Sequence, residues 1–309
     1  MKVLILSATG CMGSGLVEAL KNDPKFQVSA FTRDPDSDSA KSIQQAGITI
    51  FKGDFSDKEA LEKAFAAGFD AVFFTIFPDL AGGDTDIEQA QNIIDAVKRH
   101  GVKQVLYGSV ARTGTQESFD RAYRNLPEDS FLRVYWPKKW KIEELVRSSG
   151  ADWTIIKPPT FVQNLVRPQY VAMMFPELPT SLVIKDATDP NLPQWWVDGS
   201  DTGRFAAEAL KNPERFRNKD ITIGTELLTM NEMVEKLRKA SGKDVQLYKW
   251  PADEWEATKT HMIHSVKRNF GEFGYDPEGG NPKEYGFEFT PISKWLEDEK
   301  NQKGTWLAQ

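Results

Sequence analysis

Two kinds of segment alternate over the first 160 residues of this chain, and the alternation restricts the folds open to it. Short apolar runs rich in β-formers are each followed by a stretch with helical spacing of apolar residues. The apolar runs are Val3–Leu6, Val28–Phe31, Ile48–Phe51, Ala71–Thr75, Val105–Tyr107 and Trp153–Ile156, and the helical patterns cover about 13–22, 38–46, 57–67, 86–100 and 138–149. Strands that alternate with helices predict a doubly wound α/β fold with a mostly parallel sheet. The near-continuous apolar character of the runs fits strands that are covered on both faces.

Composition narrows the class of protein further. The chain has 309 residues, of which 40% are hydrophobic and 27% charged, as in ordinary globular proteins. A net charge of −6 gives no general electrostatic attraction to nucleic acid or to an anionic membrane. No run approaches the roughly 20 apolar residues that a membrane span requires, and the single cysteine, Cys11, excludes an intramolecular disulfide. We therefore expect a cytoplasmic protein with no nucleic-acid or membrane partner, and entry into the nucleus stays open.

The segment between the first strand and the first helix is rich in glycine, with Gly10, Gly13 and Gly15. Glycines at such a place allow a tight turn, a close approach of the backbone to a pyrophosphate, and close packing of the helix against the strand. The helix start adds N–H donors and the positive end of the helix dipole. Because the loop opens a series of βαβ units, we predict that it binds a dinucleotide; the alternative is a tight turn without a ligand.

The second strand ends in Thr32-Arg33-Asp34, where a dinucleotide would place its adenosine ribose. An arginine at this position suits the 2′-phosphate of NADP(H), whereas an acid suits the free ribose of NAD. Arg33 lies closer to the apolar strand, and Asp34 leads into the turn at Pro35-Asp36. We predict NADP(H) with Arg33 as ligand, and Asp34 remains the alternative.

After Pro158-Pro159 the alternation stops. Five prolines fall within 26 residues, at positions 168, 176, 179, 190 and 193, which suits a loop-rich insert better than regular structure. Regular patterns return at Thr202–Leu210 and Asp220–Ile223. We expect a Rossmann domain from 1–160 plus about 201–224, and a smaller C-terminal α+β substrate lobe from about 161–200 and 225–309.

The chain resembles the NmrA-like branch of the atypical short-chain dehydrogenases/reductases over essentially its whole length. The residues that carry the resemblance are Ser7-Ala8-Thr9-Gly10-Cys11-Met12-Gly13, Thr32-Arg33, Gly53-Asp54, Lys139-x-x-x-Glu143-Glu144-Leu145, Trp153-Thr154-Ile155-Ile156-Lys157-Pro158, Phe161-x-x-Asn164, Asp198-x-x-Asp201-Thr202-Gly203 and Leu228-Thr229-Met230-Asn231-Glu232. The first loop position is serine where the family has glycine. The resemblance implies NADP(H) on the sheet, with Asp54 at the adenine end, and a cleft under a smaller C-terminal lobe. Members of the family include reductases of aromatic substrates and regulators that sense the nucleotide.

Further cofactor contacts are expected where the fourth and sixth strands end, because ligands of such sheets bind at the carboxyl edge. The residues predicted to contact NADP(H) are Ser7, Thr9, Gly10, Cys11, Met12, Gly13, Thr32, Arg33, Asp54, Phe55, Thr75, Ile76, Phe77, Lys139, Pro158 and Phe161. Phe161 and Asn164 have an equally good interpretation as local packing and capping residues.

Tyr135 and Lys139 stand at the Tyr-x-x-x-Lys spacing of catalytically active short-chain dehydrogenases. Four residues are about one helical turn, so both side chains can face the same way. An ammonium group favours the phenolate of a tyrosine whose ordinary pKa is about 10, and the phenol then exchanges a proton with a carbonyl or alcohol oxygen. Ser109 resembles the third member of such a triad. In the alternative interpretation the helix begins at Pro137 and leaves Tyr135 in the preceding loop.

Several aromatic residues suit a flat apolar substrate. The predicted substrate contacts are Trp136, Trp140, Asn164, Trp195 and Trp196, although core packing also explains any single tryptophan. His261 and His264 are three residues apart, but no third ligand accompanies them, and we predict no metal site.

These features predict an NADPH-dependent reductase of a small, aromatic or polycyclic carbonyl or enone. The alternative is a non-catalytic NADP(H)-sensing regulator that binds a protein partner. The intact Tyr135 and Lys139 pair favours the reductase.

Overall fold

The computed structural model describes residues 1–113, 131–186, 189–251, 253–254 and 283–308. Its strands are β1 (Lys2–Ile5), β2 (Gln27–Thr32), β3 (Thr49–Lys52), β4 (Ala71–Thr75), β5 (Gln104–Gly108), β6 (Asp152–Lys157), β7 (Thr160–Phe161), β8 (Val183–Asp186), β9 (Gln194–Val197), β10 (Lys219–Thr222), β11 (Glu226–Leu228) and β12 (Gln246–Lys249). Seven of these strands form one sheet in the order β10-β6-β5-β4-β1-β2-β3. Smaller sheets have the orders β11-β9-β7 and β12-β8.

The seven-stranded sheet is parallel from β3 through to β6. Strand β1 pairs with β2 on one side and with β4 on the other, so the direction of the strand order reverses between β1 and β4. The predicted doubly wound α/β fold is confirmed. Sheets of this kind bind ligands in the crevice outside the carboxyl ends of the strands at such a reversal.

Local signals in the sequence account for several helix ends. The helices are α1 (Cys11–Leu20), α2 (Asp38–Gln45), α3 (Lys58–Phe65), α4 (Thr85–His100), α5 (Leu132–Arg147), α6 (Pro168–Met174), α7 (Leu178–Ser181), α8 (Gly199–Lys211), α9 (Pro213–Phe216), α10 (Met230–Ser241), α11 (Ile292–Glu297) and α12 (Glu299–Gln302), with 3₁₀ turns at Val162–Leu165 and Lys283–Tyr285. The Asp57 carboxylate caps α3 by accepting from the Ala60 N–H. Gly101 ends α4 with φ +64°, which glycine adopts at little cost.

Helix α5 begins earlier than the sequence predicts. We expected a helix at about 138–149, whereas the structure has Leu132–Arg147 with Pro137 inside it. Leu132 and Trp136 lie one turn apart, and both are only 2% exposed. Their burial outweighs the hydrogen bond that the proline removes, so Tyr135 belongs to the helix and not to a preceding loop.

The proline-rich stretch is also more regular than expected. It holds α6, α7, β8 and β9. Pro168 and Pro179 occupy the first turns of α6 and α7. Proline costs little there, because the first N–H groups of a helix have no intrahelical acceptor. These prolines therefore start helices where we had predicted irregular chain.

The chain divides into two compact units. The first comprises Met1–Thr113, Tyr135–Pro158 and Gly199–Ile221, and the second comprises Gly114–Val134, Pro159–Asp198 and Thr222–Gln309. Leu4, Phe74 and Ile142 lie in the core of the first unit. The second unit has a core of its own around Trp196 and Met233. Within the described ranges, no helix has both the length and the apolar character needed to cross a membrane.

Candidate active site

The glycine loop makes a turn at the end of β1 that a larger residue could not make. Gly10 N donates to the Ser7 carbonyl oxygen at 3.1 Å. A Cβ at Gly13 would lie 1.9 Å from that same oxygen and 2.9 Å from the Ala8 Cα. Real Cβ atoms do not approach backbone this closely, so the turn requires glycine at position 13.

The serine at the first loop position has a contact that a glycine could not make. Thr75 N, at the end of β4, donates to Ser7 Oγ at 2.8 Å. Leu6 N donates to the Phe73 carbonyl oxygen at 2.9 Å, which joins the same two strand ends. The Ser7 side chain thus ties the glycine loop to β4 where the strand order reverses.

Helix α1 packs against α8 through glycines. A Cβ at Gly15 would lie 2.1 Å from the Ser200 carbonyl oxygen, and one at Gly203 would lie 1.9 Å from the Met12 carbonyl oxygen. The sequence predicts close packing of α1 against a strand, whereas the structure uses Gly15 for a second helix. Sequence reasoning missed Gly203 in this role, although its place in the Asp201-Thr202-Gly203 motif was visible.

The residues of the loop fit a dinucleotide pyrophosphate. Gly10 is the N-cap of α1 and brings no side chain to cap the helix. The N–H groups of the first turn, at the positive end of the helix dipole, therefore face the place where a phosphate would bind. The side chain of Met12 lies beside β5, since a Cβ at Gly108 would fall 2.8 Å from Met12 Sδ.

At the end of β2, the two charged candidates have different surroundings. Asp34 Oδ1 accepts from Asp36 N at 3.0 Å, and Asp34 N donates to Thr32 Oγ1 at 3.3 Å, so the Asp34 carboxylate is part of the turn. The Arg33 side chain is 82% exposed, and its Nε lies 3.9 Å from Asp54 Oδ2. Arg33 is the group at this strand end that is available for a 2′-phosphate.

Asp54, expected at the adenine end, and Phe55, predicted to contact NADP(H), both have local roles. Asp54 Oδ1 accepts from Ser56 N at 2.8 Å. The Phe55 ring stacks on Phe31 with centroids 5.9 Å apart, and its carbonyl oxygen accepts from Asn92 Nδ2. The Phe55 ring therefore packs on the sheet, and the second carboxylate oxygen of Asp54 faces Arg33.

Tyr135 and Lys139 lie one turn apart on α5. Lys139 Nζ is 5.6 Å from the centroid of the Tyr135 ring. Lys139 is only 4% exposed, and its ammonium group donates to the carbonyl oxygen of Ile76, just beyond β4. Burial lowers the pKa of Lys139 to about 8, although the carboxylates of Asp86 and Glu143 act in the opposite direction. Lys139 thus places a cation at the carboxyl edge of the sheet.

The phenol of Tyr135 is held in its protonated form. Burial raises the pKa of Tyr135, and the Asp86 carboxylate raises it further. We expected the Lys139 ammonium to favour the phenolate, but the ammonium lies over the ring and the other two effects outweigh it. In this arrangement Tyr135 can donate a proton and is a poor base.

Ser109 donates its hydroxyl proton within the protein. Ser109 Oγ donates to Glu143 Oε1 at 2.6 Å, and Thr113 Oγ1 donates to the same oxygen. Glu143 is fully buried, and its other oxygen lies 3.1 Å from Lys157 Nζ and 3.0 Å from an Arg147 nitrogen. Only the lone pairs of Ser109 Oγ remain for a ligand. Sequence reasoning missed this buried centre, and its signal was the lysine that ends the apolar run of β6.

Two of the predicted substrate contacts are almost fully buried. Trp136 and Trp196 are each 2% exposed, and Trp196 belongs to the core of the second unit. Trp140 lies under the guanidinium of Arg147, 4.4 Å from its carbon to the ring centroid. Trp195 is half-buried against Gly224, where a Cβ would fall 2.8 Å from its ring.

The remaining candidates fall into three groups. In the first unit, Thr9 and Cys11 are half-buried, Ile76 and Pro158 are buried, and Phe77 is 63% exposed. In the second unit, Phe161 lies in β7 and Asn164 in the following 3₁₀ turn, and both are half-buried. His261 and His264 lie outside the described residues. The described part of the chain holds no group of three or more His, Cys, Asp or Glu arranged for a metal ion.

Comparison with known proteins agrees with this architecture. The model of the NmrA-like family matches residues 1–305. An NmrA-like family domain-containing oxidoreductase, FrzB from a Cladobotryum species, is 26% identical over 287 residues, which cover 86% of this chain and 80% of the relative.

Two solved structures share the fold. The triphenylmethane reductase of a Citrobacter species, complexed with NADP(H), superposes with a TM-score of 0.74 at 18% identity, over 97% of this chain and 99% of that one. An NADPH-dependent quinone oxidoreductase from Escherichia coli, complexed with NADPH, gives 0.71 at 20% identity, over 97% of this chain and 100% of that one.

The parallel sheet, its strand order and the glycine loop define a Rossmann-like α/β protein. Because the family model matches residues 1–305, which are nearly the whole chain, the chain belongs to the NmrA-like family.

Proposed function

We propose that this chain is an NADPH-dependent reductase of a small, aromatic or polycyclic carbonyl or enone compound. The observation that carries the proposal is the pairing of Tyr135 and Lys139 on α5, with Lys139 bound to the Ile76 carbonyl oxygen at the carboxyl edge of the sheet. The glycine loop ends at the same edge, tied to β4 through Ser7. The names of the relative and of the two solved structures support the same class of activity.

The cofactor would be held by three groups of this chain. The first turn of α1 would bind the pyrophosphate. The exposed guanidinium of Arg33 would pair with the 2′-phosphate, which it can contact in a bidentate manner. Lys139 would donate to a ribose hydroxyl with an N–H that Ile76 does not use, since an ammonium group has three donors.

When bound, NADPH supplies a hydride to the electrophilic carbon of the substrate. Tyr135 donates its phenolic proton to the oxygen on which negative charge develops, so the carbonyl becomes an alcohol. The Lys139 ammonium stabilises the phenolate left behind, which regains its proton from solvent. The buried setting strengthens this electrostatic effect relative to water.

An aromatic substrate is favoured by Phe77, which we predicted from the sequence as an NADP(H) contact and now propose as a substrate contact. This side chain follows Ile76 directly and exposes 63% of its surface. A flat apolar molecule would cover such a ring and remove it from water.

A regulator that only senses NADP(H) and binds a protein partner is the competing function. One observation favours it: the Ser109 proton is given to Glu143, so Ser109 cannot donate to a substrate oxygen. The two functions differ in turnover and not in cofactor binding.

The test compares wild type with Tyr135→Phe on a panel of aromatic quinones, enones and ketones. NADPH oxidation is followed by absorbance and NADPH binding by fluorescence. We expect Tyr135→Phe to lower kcat about 100-fold or more, because it removes the proton donor, and to leave NADPH affinity within about twofold.

Tyr248→Phe is the matched control, since Tyr248 is exposed and its hydroxyl bonds to Glu254. It should behave as wild type. Undiminished turnover in Tyr135→Phe would refute the proton-donor role. NADPH binding by wild type without oxidation across the panel would favour the regulator.

A further inference from the structure

Two consecutive lysines of α5 reach the two ends of one loop. Lys139 Nζ donates to the carbonyl oxygen of Ile76, which precedes the loop, and Lys138 Nζ donates to the carbonyl oxygen of Gly83, near its end. The residues between β4 and α4 that they enclose, 77–84, are called the β4–α4 loop below. A rigid helix therefore fixes this loop at both ends.

The loop itself is held by short-range contacts and exposes apolar side chains. Asp79 Oδ1 accepts from Ala81 N at 2.9 Å, and Gly82 has φ +85°. Phe77 at the start of the loop is 63% exposed, and Leu80 in its middle is 42% exposed. Phe77 follows Ile76 directly, and the Ile76 carbonyl oxygen binds the Lys139 ammonium; Leu80 comes three residues after Phe77.

Lys138 is itself surrounded by acidic groups. Its side chain is 11% exposed, and Nζ lies 3.5 Å from Asp84 Oδ1 and 4.0 Å from Asp86 Oδ1. Asp86 is 1% exposed; its Oδ1 accepts from Ile87 N, while its Oδ2 is buried without a hydrogen-bond partner. A buried carboxylate that is half-satisfied requires a cation nearby, and Lys138 supplies one. The attachment of the loop is thus both a hydrogen bond and an ion pair.

We propose that Lys138 is a positioning residue that holds the β4–α4 loop as a wall of the substrate site, with Phe77 and Leu80 as its apolar face. The proposal rests on the proposed function, because it takes a small aromatic compound as the occupant. We choose that occupant because the loop begins directly after Ile76, whose carbonyl oxygen binds the ammonium of Lys139 in the proposed reaction site. Without Lys138 the loop would lose the hydrogen bond at Gly83 and the ion pair at Asp84, and the wall would lose its fixed shape while the cofactor groups stayed in place.

The experiment compares wild type with Lys138→Met and Lys138→Arg. Lys141→Met is the matched control, because Lys141 is an exposed lysine of the same helix. Amide hydrogen exchange of residues 77–84 reports on the loop whether or not a substrate is known. KM for a panel substrate and the Kd of NADPH report on the site.

In Lys138→Met we expect exchange in the loop to rise about tenfold or more while β4 stays protected. KM for substrate should rise about tenfold, and the Kd of NADPH should stay within about twofold. Lys138→Arg should keep both the exchange rate of the loop and the KM for substrate near their wild-type values, since it keeps the charge and the donors. If Lys138→Met fails to fold, the double variant Lys138→Met/Asp86→Asn removes the uncompensated charge and is tested in its place.

Unchanged hydrogen exchange of the loop in Lys138→Met would overturn the proposal. An equally large rise of loop exchange in Lys141→Met would also overturn it. Faster exchange with unchanged KM would also overturn it, because the loop would then be no part of the substrate site. A wild type that turns over no member of the panel would refute the proposed function instead. The exchange measurement would in that case still decide whether Lys138 holds the loop.

Discussion

Arg33 and Asp34 are exposed neighbours with opposite charges, and the local backbone gives their side chains different surroundings. The turn after β2 uses the Asp34 carboxylate as an acceptor for Asp36 N, whereas the Arg33 guanidinium stays 82% exposed. The sequence already pointed to the turn through Pro35-Asp36. It could not show the hydrogen bond to Asp34 Oδ1, because that depends on the side-chain conformation.

Lys139 is the residue whose charge should limit the proposed reaction at high pH. Burial lowers its pKa to about 8, while the pKa of Tyr135 is raised. We predict that kcat/KM for NADPH, which reports the free enzyme, falls as pH rises through about 8. Lys139→Arg keeps its charge and should remove this decline, even if its absolute rate is lower.

Loss of fold would not explain that decline. Between about 8 and the ordinary value of 10.5, an unfolded chain keeps the Lys139 proton that the folded chain has released. The contribution of this group to the free energy of unfolding therefore rises with pH across that window. Unfolding followed by circular dichroism at each pH is the control, and a kcat/KM that stays flat from about pH 7 to 9 would contradict the assignment.

At the scale of elements, the contact between α1 and α8 depends on the absence of side chains. A Cβ at Gly203 would lie 1.9 Å from the Met12 carbonyl oxygen and 2.5 Å from Leu16 N. We predict that Gly203→Ala lowers the free energy of unfolding by about 1–3 kcal/mol, because backbone atoms must move apart. It should also weaken NADPH binding, since the displaced atoms belong to the first turns of α1.

Gly10→Ala is the matched control for stability. Its Cβ would meet only the Ser7 carbonyl oxygen at 3.5 Å, an ordinary contact, and the backbone there has φ −80°. Urea unfolding of both variants makes the comparison. A Gly203→Ala variant as stable as wild type would show that the two helices do not pack as described.

Elements set by local signals were predictable, and those set by distant packing were not. The apolar runs located the strands, and Asp57 and Gly101 marked helix ends through caps that involve only nearby backbone. The sequence did not predict the first turn of α5, because Pro137 disfavours helix there. The burial of Leu132 and Trp136 nevertheless stabilises that turn. Local signals therefore predict the pattern of strands and helices but not the early start of α5.

At the scale of the whole molecule, the fold followed from the sequence and much of the polar core did not. A mostly parallel sheet is implied by alternation alone, and the parallel pairing from β3 through to β6 confirms it. The buried charges around Glu143 join residues from separate segments: Ser109, Lys157 and Arg147. Spacing along a chain predicts partners within one helix but not across 34 residues, the separation of Ser109 and Glu143. The Glu143 centre therefore had to be seen in the structure.

The most direct test of the account is calorimetric titration of wild type and Arg33→Ala with NADPH and NADH. We predict that wild type binds NADPH about tenfold or more tightly than NADH, because the two cofactors differ by the phosphate that Arg33 would contact. Arg33→Ala should lose this preference, and Asp34→Asn should keep it. Equal affinities of wild type for the two cofactors, or NADPH affinity unchanged in Arg33→Ala, would contradict the account.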